Sequence, residues 1–227
     1  LNYSDSYIKL TGEHDITSGA FDVIPLLMTE PQLKVEVTSQ RDVLAKIVLP
    51  LTEHVPRARW FSHGSPPPDM ETDYPAILAG KFGKGRVVYF ASSLETVYLK
   101  RGYPYAQKLL ANATRWAGGE PQITACAPVS IEVTAYRQPN KNRIIVHLTN
   151  FQTELSRSIT GAPSVIREIM PAYDIIVSVK VPEGAKISEV YLAPERERLE
   201  FEFDHGRLRI KVPKVDIHKM VVIQTRP

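Results

Sequence analysis

Apolar and polar residues alternate along most of this chain, and the period changes only once. Tyr7-Ile8-Lys9-Leu10 and Leu33-Lys34-Val35-Glu36-Val37 alternate as half-buried strands do. Residues 43–51 form an aliphatic, β-branched run ending at Pro50, the pattern of a more fully buried strand. Residues 75–80 and 81–91 predict two strands around Gly83-Lys84-Gly85, where glycine supplies the positive φ of a tight hairpin. At Pro104 the period becomes helical. Proline suits the first helical position, and Tyr105, Leu109, Ala113 and Trp116 then recur on one face. Gly118-Gly119 stops the helix and Pro121 prevents its continuation.

Beyond that stop the pattern is all β. Val129, Ile131, Val133 and Ala135 share one face, and a turn at 139–142 leads into a strand at 143–149. Further strands are predicted at 173–181, 187–192, 199–203, 207–212 and 219–224. Asp204-His205-Gly206 makes a hairpin that sets Leu199, Phe201 and Phe203 against Leu208, Ile210 and Val212. So many short strands in so short a stretch predict a small antiparallel β-sandwich. The chain is therefore expected to be α+β and multi-domain: an abbreviated α/β layer over 1–118 and an antiparallel β-sandwich over 119–227.

Residues 61–74 contain Pro66-Pro67-Pro68, Gly64, two serines and three acids, which predicts an extended surface loop. Ser62-His63-Gly64-Ser65 with Asp69 and Glu71 holds the ingredients of a hydrolytic or metal site. A triad, however, needs its members on rigid elements, and these lie together on one proline-rich loop. His54 and His63 are too far apart to share a helical turn, and no H-E-x-x-H or C-x-x-C spacing occurs, so no metal is expected. Gly83-Lys84-Gly85 lacks the spacing of a phosphate loop and lies between strands, so no cofactor is expected there. Glu200 and Glu202 alternate with Phe201 and Phe203, which makes them a solvent face and not a catalytic pair.

Tyr98, Tyr103 and Tyr105 gather with Lys100 and Arg101 near the start of the helix. Tyrosine joins an apolar face to a polar tip, so this group suits a sugar ring, a subunit interface or plain packing of the strand–helix connection. Together with His63 and Asp69, these three are the candidate substrate-binding or interface residues. His147 sits among apolar neighbours and reads as a structural histidine, and Cys126 reads as a buried packing thiol.

Composition narrows the partners. The 28 basic and 25 acidic residues are interleaved and leave a net charge of +3, which argues against a nucleic-acid face. No apolar run reaches the ~20 residues of a membrane span. A lone cysteine implies no oxidising compartment, and with no visible signal peptide the cytoplasm is favoured.

Several segments carry a resemblance when taken in order. They are Gly83-Lys84-Gly85-Arg86-Val87-Val88-Tyr89-Phe90, Leu109-Leu110-Ala111-Asn112-Ala113 with Arg115-Trp116-Ala117, and Ala127-Pro128 before Ile131-Glu132-Val133. Val146-His147-Leu148-Thr149-Asn150, Glu168-Ile169-Met170-Pro171 and His218-Lys219-Met220-Val221-Val222 follow. The succession, over most of residues 60–227, resembles the C-terminal half of bacterial β-galactosidase-type glycoside hydrolases (family 42). The resemblance implies a glutamine-amidotransferase-like trimerisation layer, here abbreviated, followed by a C-terminal β domain. It also implies that the catalytic acids lie in an upstream (β/α)8 barrel, which takes about 250 residues and has no room here. Amidotransferase activity would need a cysteine at a strand–helix elbow, whereas Cys126 follows the last helix. The expectation is a non-catalytic accessory or oligomerisation region that partners itself or an upstream catalytic barrel. The alternative is a carbohydrate-binding module that acts through its surface tyrosines.

Overall fold

The computed structural model describes residues 5–20, 24–38, 40–54, 64–152, 168–182 and 184–226. Two compact units divide the chain at Glu120/Pro121.

The first unit contains β1 (Ser6–Leu10), β2 (Leu26–Met28), β3 (Asp42–Pro50), a single turn α1 (Leu51–His54), β4 (Pro68–Phe82), β5 (Gly85–Phe90), α2 (Leu94–Arg101) and α3 (Pro104–Gly118). Its five strands form one antiparallel sheet in the order β2-β1-β3-β4-β5. Ile8 and Ile47 are register partners and are buried, as are Ile77 and Ala79 of β4. They join Leu94 and Val97 of α2 and Ala106, Leu109 and Ala113 of α3 in one core. One step along, Lys9 pairs with Lys46 on the opposite face, because strand side chains alternate. There Glu71 and Asp73 of β4 neutralise them.

Three sequence expectations change in this unit. Residues 33–37 alternate but form no strand. Gln32 is buried with its amide donating to Ser6 Oγ and Tyr7 O, and the Leu33 N–H donates to Ala91 O at 2.7 Å. The segment is therefore tied down at its start, while Leu33 and Val37 face solvent. The predicted loop at 61–74 gives way to strand at Pro68, which pairs with Pro50. Proline lacks a ladder donor but not an acceptor, so it sits at a strand's first residue, here where the register is irregular. Helix α2 was not expected. Only Leu94 and Val97 are buried on it, so it has little apolar stripe to read. Its ends are nonetheless marked: Ser93 donates to Glu95 in the first turn, and Gly102 closes it in the left-handed region at φ 67°.

The second unit is all β: β6 (Ile123–Cys126), β7 (Ile131–Gln138), β8 (Arg143–Asn150), β9 (Ala172–Lys180), β10 (Lys186–Ala193), β11 (Glu197–Arg198), β12 (Phe201–Asp204), β13 (Arg207–Val215) and β14 (His218–Arg226). Two antiparallel sheets, β11-β10-β14-β8-β7 and β12-β13-β9-β6, share one core. Val146, Leu148, Val221 and Ile223 of the first meet Ile175, Val177, Leu208 and Ile210 of the second in that core. The β12–β13 turn is the two-residue kind, with both His205 (φ 46°) and Gly206 (φ 76°) left-handed. Phe201 and Phe203 pair with Ile210 and Leu208 as expected, but β12 is an edge strand and both rings remain exposed. Val129 precedes its strand and is 90% exposed. Cys126 is exposed on edge strand β6, which corrects the buried thiol expected there.

Candidate functional surfaces

The tyrosines singled out in the sequence lie on the first unit. Tyr103 precedes α3 in extended backbone and Tyr105 enters its first turn. That places their rings in a stack 5.3 Å apart and 26° from parallel. The Tyr105 hydroxyl donates to the Leu27 carbonyl on β2, and the Tyr7 hydroxyl donates to the Pro66 carbonyl. Burial pushes the Tyr105 phenol well above its ordinary range, with Tyr103 and then Tyr7 adding to the effect. Burial likewise raises Tyr7, followed by Asp5 and Tyr103. Tyr7, Tyr103 and Tyr105 thus form one electrostatic group, in which Tyr7 and Tyr105 are the hydroxyl donors. Tyr98, Tyr103 and Tyr105 all pack against the first unit's core. The structure therefore brings the three predicted tyrosines to one region, half-buried.

Asp69 is exposed at the start of β4. Its neighbour Asp73 is held below the usual carboxylate range by Lys46, 2.9 Å away. His63 lies outside the described residues, so its relation to Asp69 and Glu71 does too.

Two arrangements were not legible in the sequence. The segment Leu10–Ala20 curls around an open hollow of about 770 Å³ whose lining includes Glu13, His14, Asp15 and Thr17. His14 is fixed there: its Nδ1 accepts the Ile16 N–H at 3.0 Å, and its ring lies 5.6 Å from Trp116. Asn112 of α3 holds the same segment by donating to Ile16 O and Ser18 O. The second arrangement is on the outer face of the β7-β8-β14 sheet. His147 Nδ1 lies 3.0 Å from His218 Nε2, with the rings 5.3 Å apart and 21° from parallel. Tyr136 meets His147 edge-on at 5.6 Å. The expected structural role of His147 thus takes the form of a bond to a second histidine. Among the described residues, no three or more His, Cys, Asp or Glu side chains converge as metal ligands. No described helix is long and apolar enough to cross a membrane.

One further surface belongs to the first sheet. Ile77, Ala79, Val88 and Phe90 turn toward its core, so their alternates Phe82, Val87 and Tyr89 face the other way. They are 77%, 47% and 38% exposed, an apolar strip along the β4–β5 hairpin.

No family profile and no curated protein matches the chain. Among solved structures it is similar to alpha-L-fucosidase isoenzyme 2 from Paenibacillus thiaminolyticus, at 21% identity and a TM-score of 0.76. That match covers 100% of this chain and 32% of the fucosidase chain. A GH42 beta-galactosidase from G. stearothermophilus matches at 11% identity and a TM-score of 0.49, over 100% of this chain and 22% of that one. The chain spans about a third of the fucosidase's length, and at these identities the likeness is one of fold. These structural neighbours are glycoside hydrolases, and both contain much that this chain does not.

Proposed function

We propose that this chain is a non-catalytic accessory region of a glycoside-hydrolase-like protein of the β-galactosidase type. The observation that carries the reading is the fold likeness to the fucosidase, which covers this chain from end to end yet takes up only 32% of the enzyme. In this reading a separate barrel cleaves the glycosidic bond with its own pair of carboxylates. The first unit is a reduced form of the amidotransferase-like layer, and the β-sandwich follows it. The apolar strip Phe82, Val87 and Tyr89 supports a docking role for the first sheet, because large apolar side chains grouped on one sheet face are a common mark of a contact surface. The partner is a second copy of the chain or the catalytic barrel.

Two measurements test this. Purified chain should release no chromophore from aryl α-L-fucosides or β-D-galactosides, and turnover that His63→Ala abolishes would overturn the reading. Sedimentation velocity should show self-association that Val87→Glu weakens. A monomer at high concentration that also fails to bind a separately supplied barrel would refute the docking role.

A further inference from the structure

We infer that His147 and His218 form a binding site for one divalent transition-metal ion on the outer face of the second unit's five-stranded sheet. Strands β8 and β14 are hydrogen-bonded neighbours, with His147 opposite Met220 and His218 opposite Thr149. Because side chains alternate, the two histidines share the face opposite Val146, Leu148, Val221 and Ile223, all fully buried. The ladder fixes both backbones, so the spacing of the rings is set before any ion arrives.

That spacing suits a metal. Imidazole nitrogens bind zinc at about 2.0–2.1 Å, so two of them on one ion, at angles between square and tetrahedral, stand about 2.9–3.4 Å apart. His147 Nδ1 and His218 Nε2 are 3.0 Å apart. An ion can therefore replace the shared hydrogen once each ring turns its lone pair off the N···N line toward a common point. In the free protein one imidazole donates its N–H and the other accepts. On coordination the donor ring carries its proton on its other nitrogen, so both rings stay neutral and none is released. Each ring gives one lone pair, and water completes the shell.

The surroundings favour nickel, copper or zinc over magnesium or calcium. Both ligands are imidazole nitrogens, which suit borderline metals, and the Met220 thioether shares the face as His147's cross-strand partner. Tyr136 backs the His147 ring edge-on and limits its rotation. Among the other histidines whose side chains are described, His14 already uses Nδ1 to accept a backbone N–H, and His205 projects from a hairpin turn beside Asp204. Neither has a second imidazole in contact.

The test is calorimetric titration of the untagged full chain at pH 7.5 with nickel, zinc and copper chlorides. One equivalent should bind, and His147→Gln and His218→Gln should each weaken binding by about tenfold or more, tenfold being 1.4 kcal/mol. Far-UV circular dichroism of the variants should overlay that of the parent. The copper complex should show nitrogen hyperfine splitting in its electron paramagnetic resonance spectrum, reduced in either variant. No saturation, binding that persists in the double variant, or loss caused by His14→Gln or His205→Gln would each overturn the assignment.

Discussion

Asn150, at the end of β8, is 3% exposed, and its amide group joins two segments that follow it much later in the chain. The side-chain Nδ2 donates to Met170 O at 2.8 Å and Asp216 O at 2.9 Å, and its Oδ1 accepts from Gln152 at 3.3 Å. Asn150→Ala removes both donations. A hydrogen bond contributes about 1 kcal/mol net, and both acceptors are only part-buried, so water can reach them when the amide is removed. The Met170 carbonyl keeps its 2.6 Å bond from Gln152, so the larger loss falls on Asp216. The expected destabilisation of the second unit is about 2 kcal/mol, or about thirtyfold in its opening equilibrium.

Two units in one chain make a single unfolding curve ambiguous, so the probe must report each separately. Amide exchange read by mass spectrometry does so. Peptides from β8 and β14 should exchange about thirtyfold faster in Asn150→Ala, while those from α3 keep the parent rate. Asn150→Asp should cost more at pH 7, since a carboxylate cannot donate and would face two carbonyl oxygens. Its folded-state pKa would be raised, so the deficit should narrow as pH falls and the group is protonated. β8 and β14 exchange within threefold of the parent, or an equal acceleration in α3, would refute the claim that Asn150 braces the second unit alone.

Leu109→Ala on α3, fully buried in the first core, should cost about 2–5 kcal/mol, read from Trp116 fluorescence in urea. The Tyr105 phenol should ionise last in an ultraviolet titration, and Tyr105→Phe should remove that late component. Because its folded-state value is raised, its contribution is complete below the unfolded phenol's value of ~10 and is lost as pH rises beyond it. The Glu195 carboxyl, held low chiefly by its hydrogen bond from Lys219 at 2.6 Å, should titrate below ordinary glutamates by carbon-detected NMR. Lys219→Ala should return it upward. That contribution exists above the unfolded value and fades as pH falls, and salt should shrink it because the pair is exposed.

What the sequence revealed follows from the range of each signal. Helix α3 was legible because Pro104, the buried spacing of Leu109 and Ala113, and Gly118-Gly119 are all local and agree. The hairpin of β12 and β13 was legible for the same reason: its turn and its alternation lie within about a dozen residues. Residues 33–37 failed because alternation records only that a segment could pair. Whether it does depended on Gln32 reaching back to Ser6 and Tyr7. The edge position of β12, which leaves Phe203 exposed opposite buried Leu208, is likewise a fact about neighbours far away in the chain.

Strand β8 shows where local reading must stop. Its period of two assigns Val146, Leu148 and Asn150 to one face and His147 and Thr149 to the other, and the structure keeps that division. The meaning of each face was set elsewhere. The inner face becomes a brace only because the chain from Met170 and Asp216 returns to Asn150. The outer face becomes a ligand pair only because β14 arrives in the register that puts His218 opposite Thr149. A slip of one residue would turn His218 into the core and dissolve the pair while leaving the sequence of β8 untouched. The likeness of this chain to known structures is therefore one of fold, whereas the proposed metal chemistry resides in the register between strands about 70 residues apart.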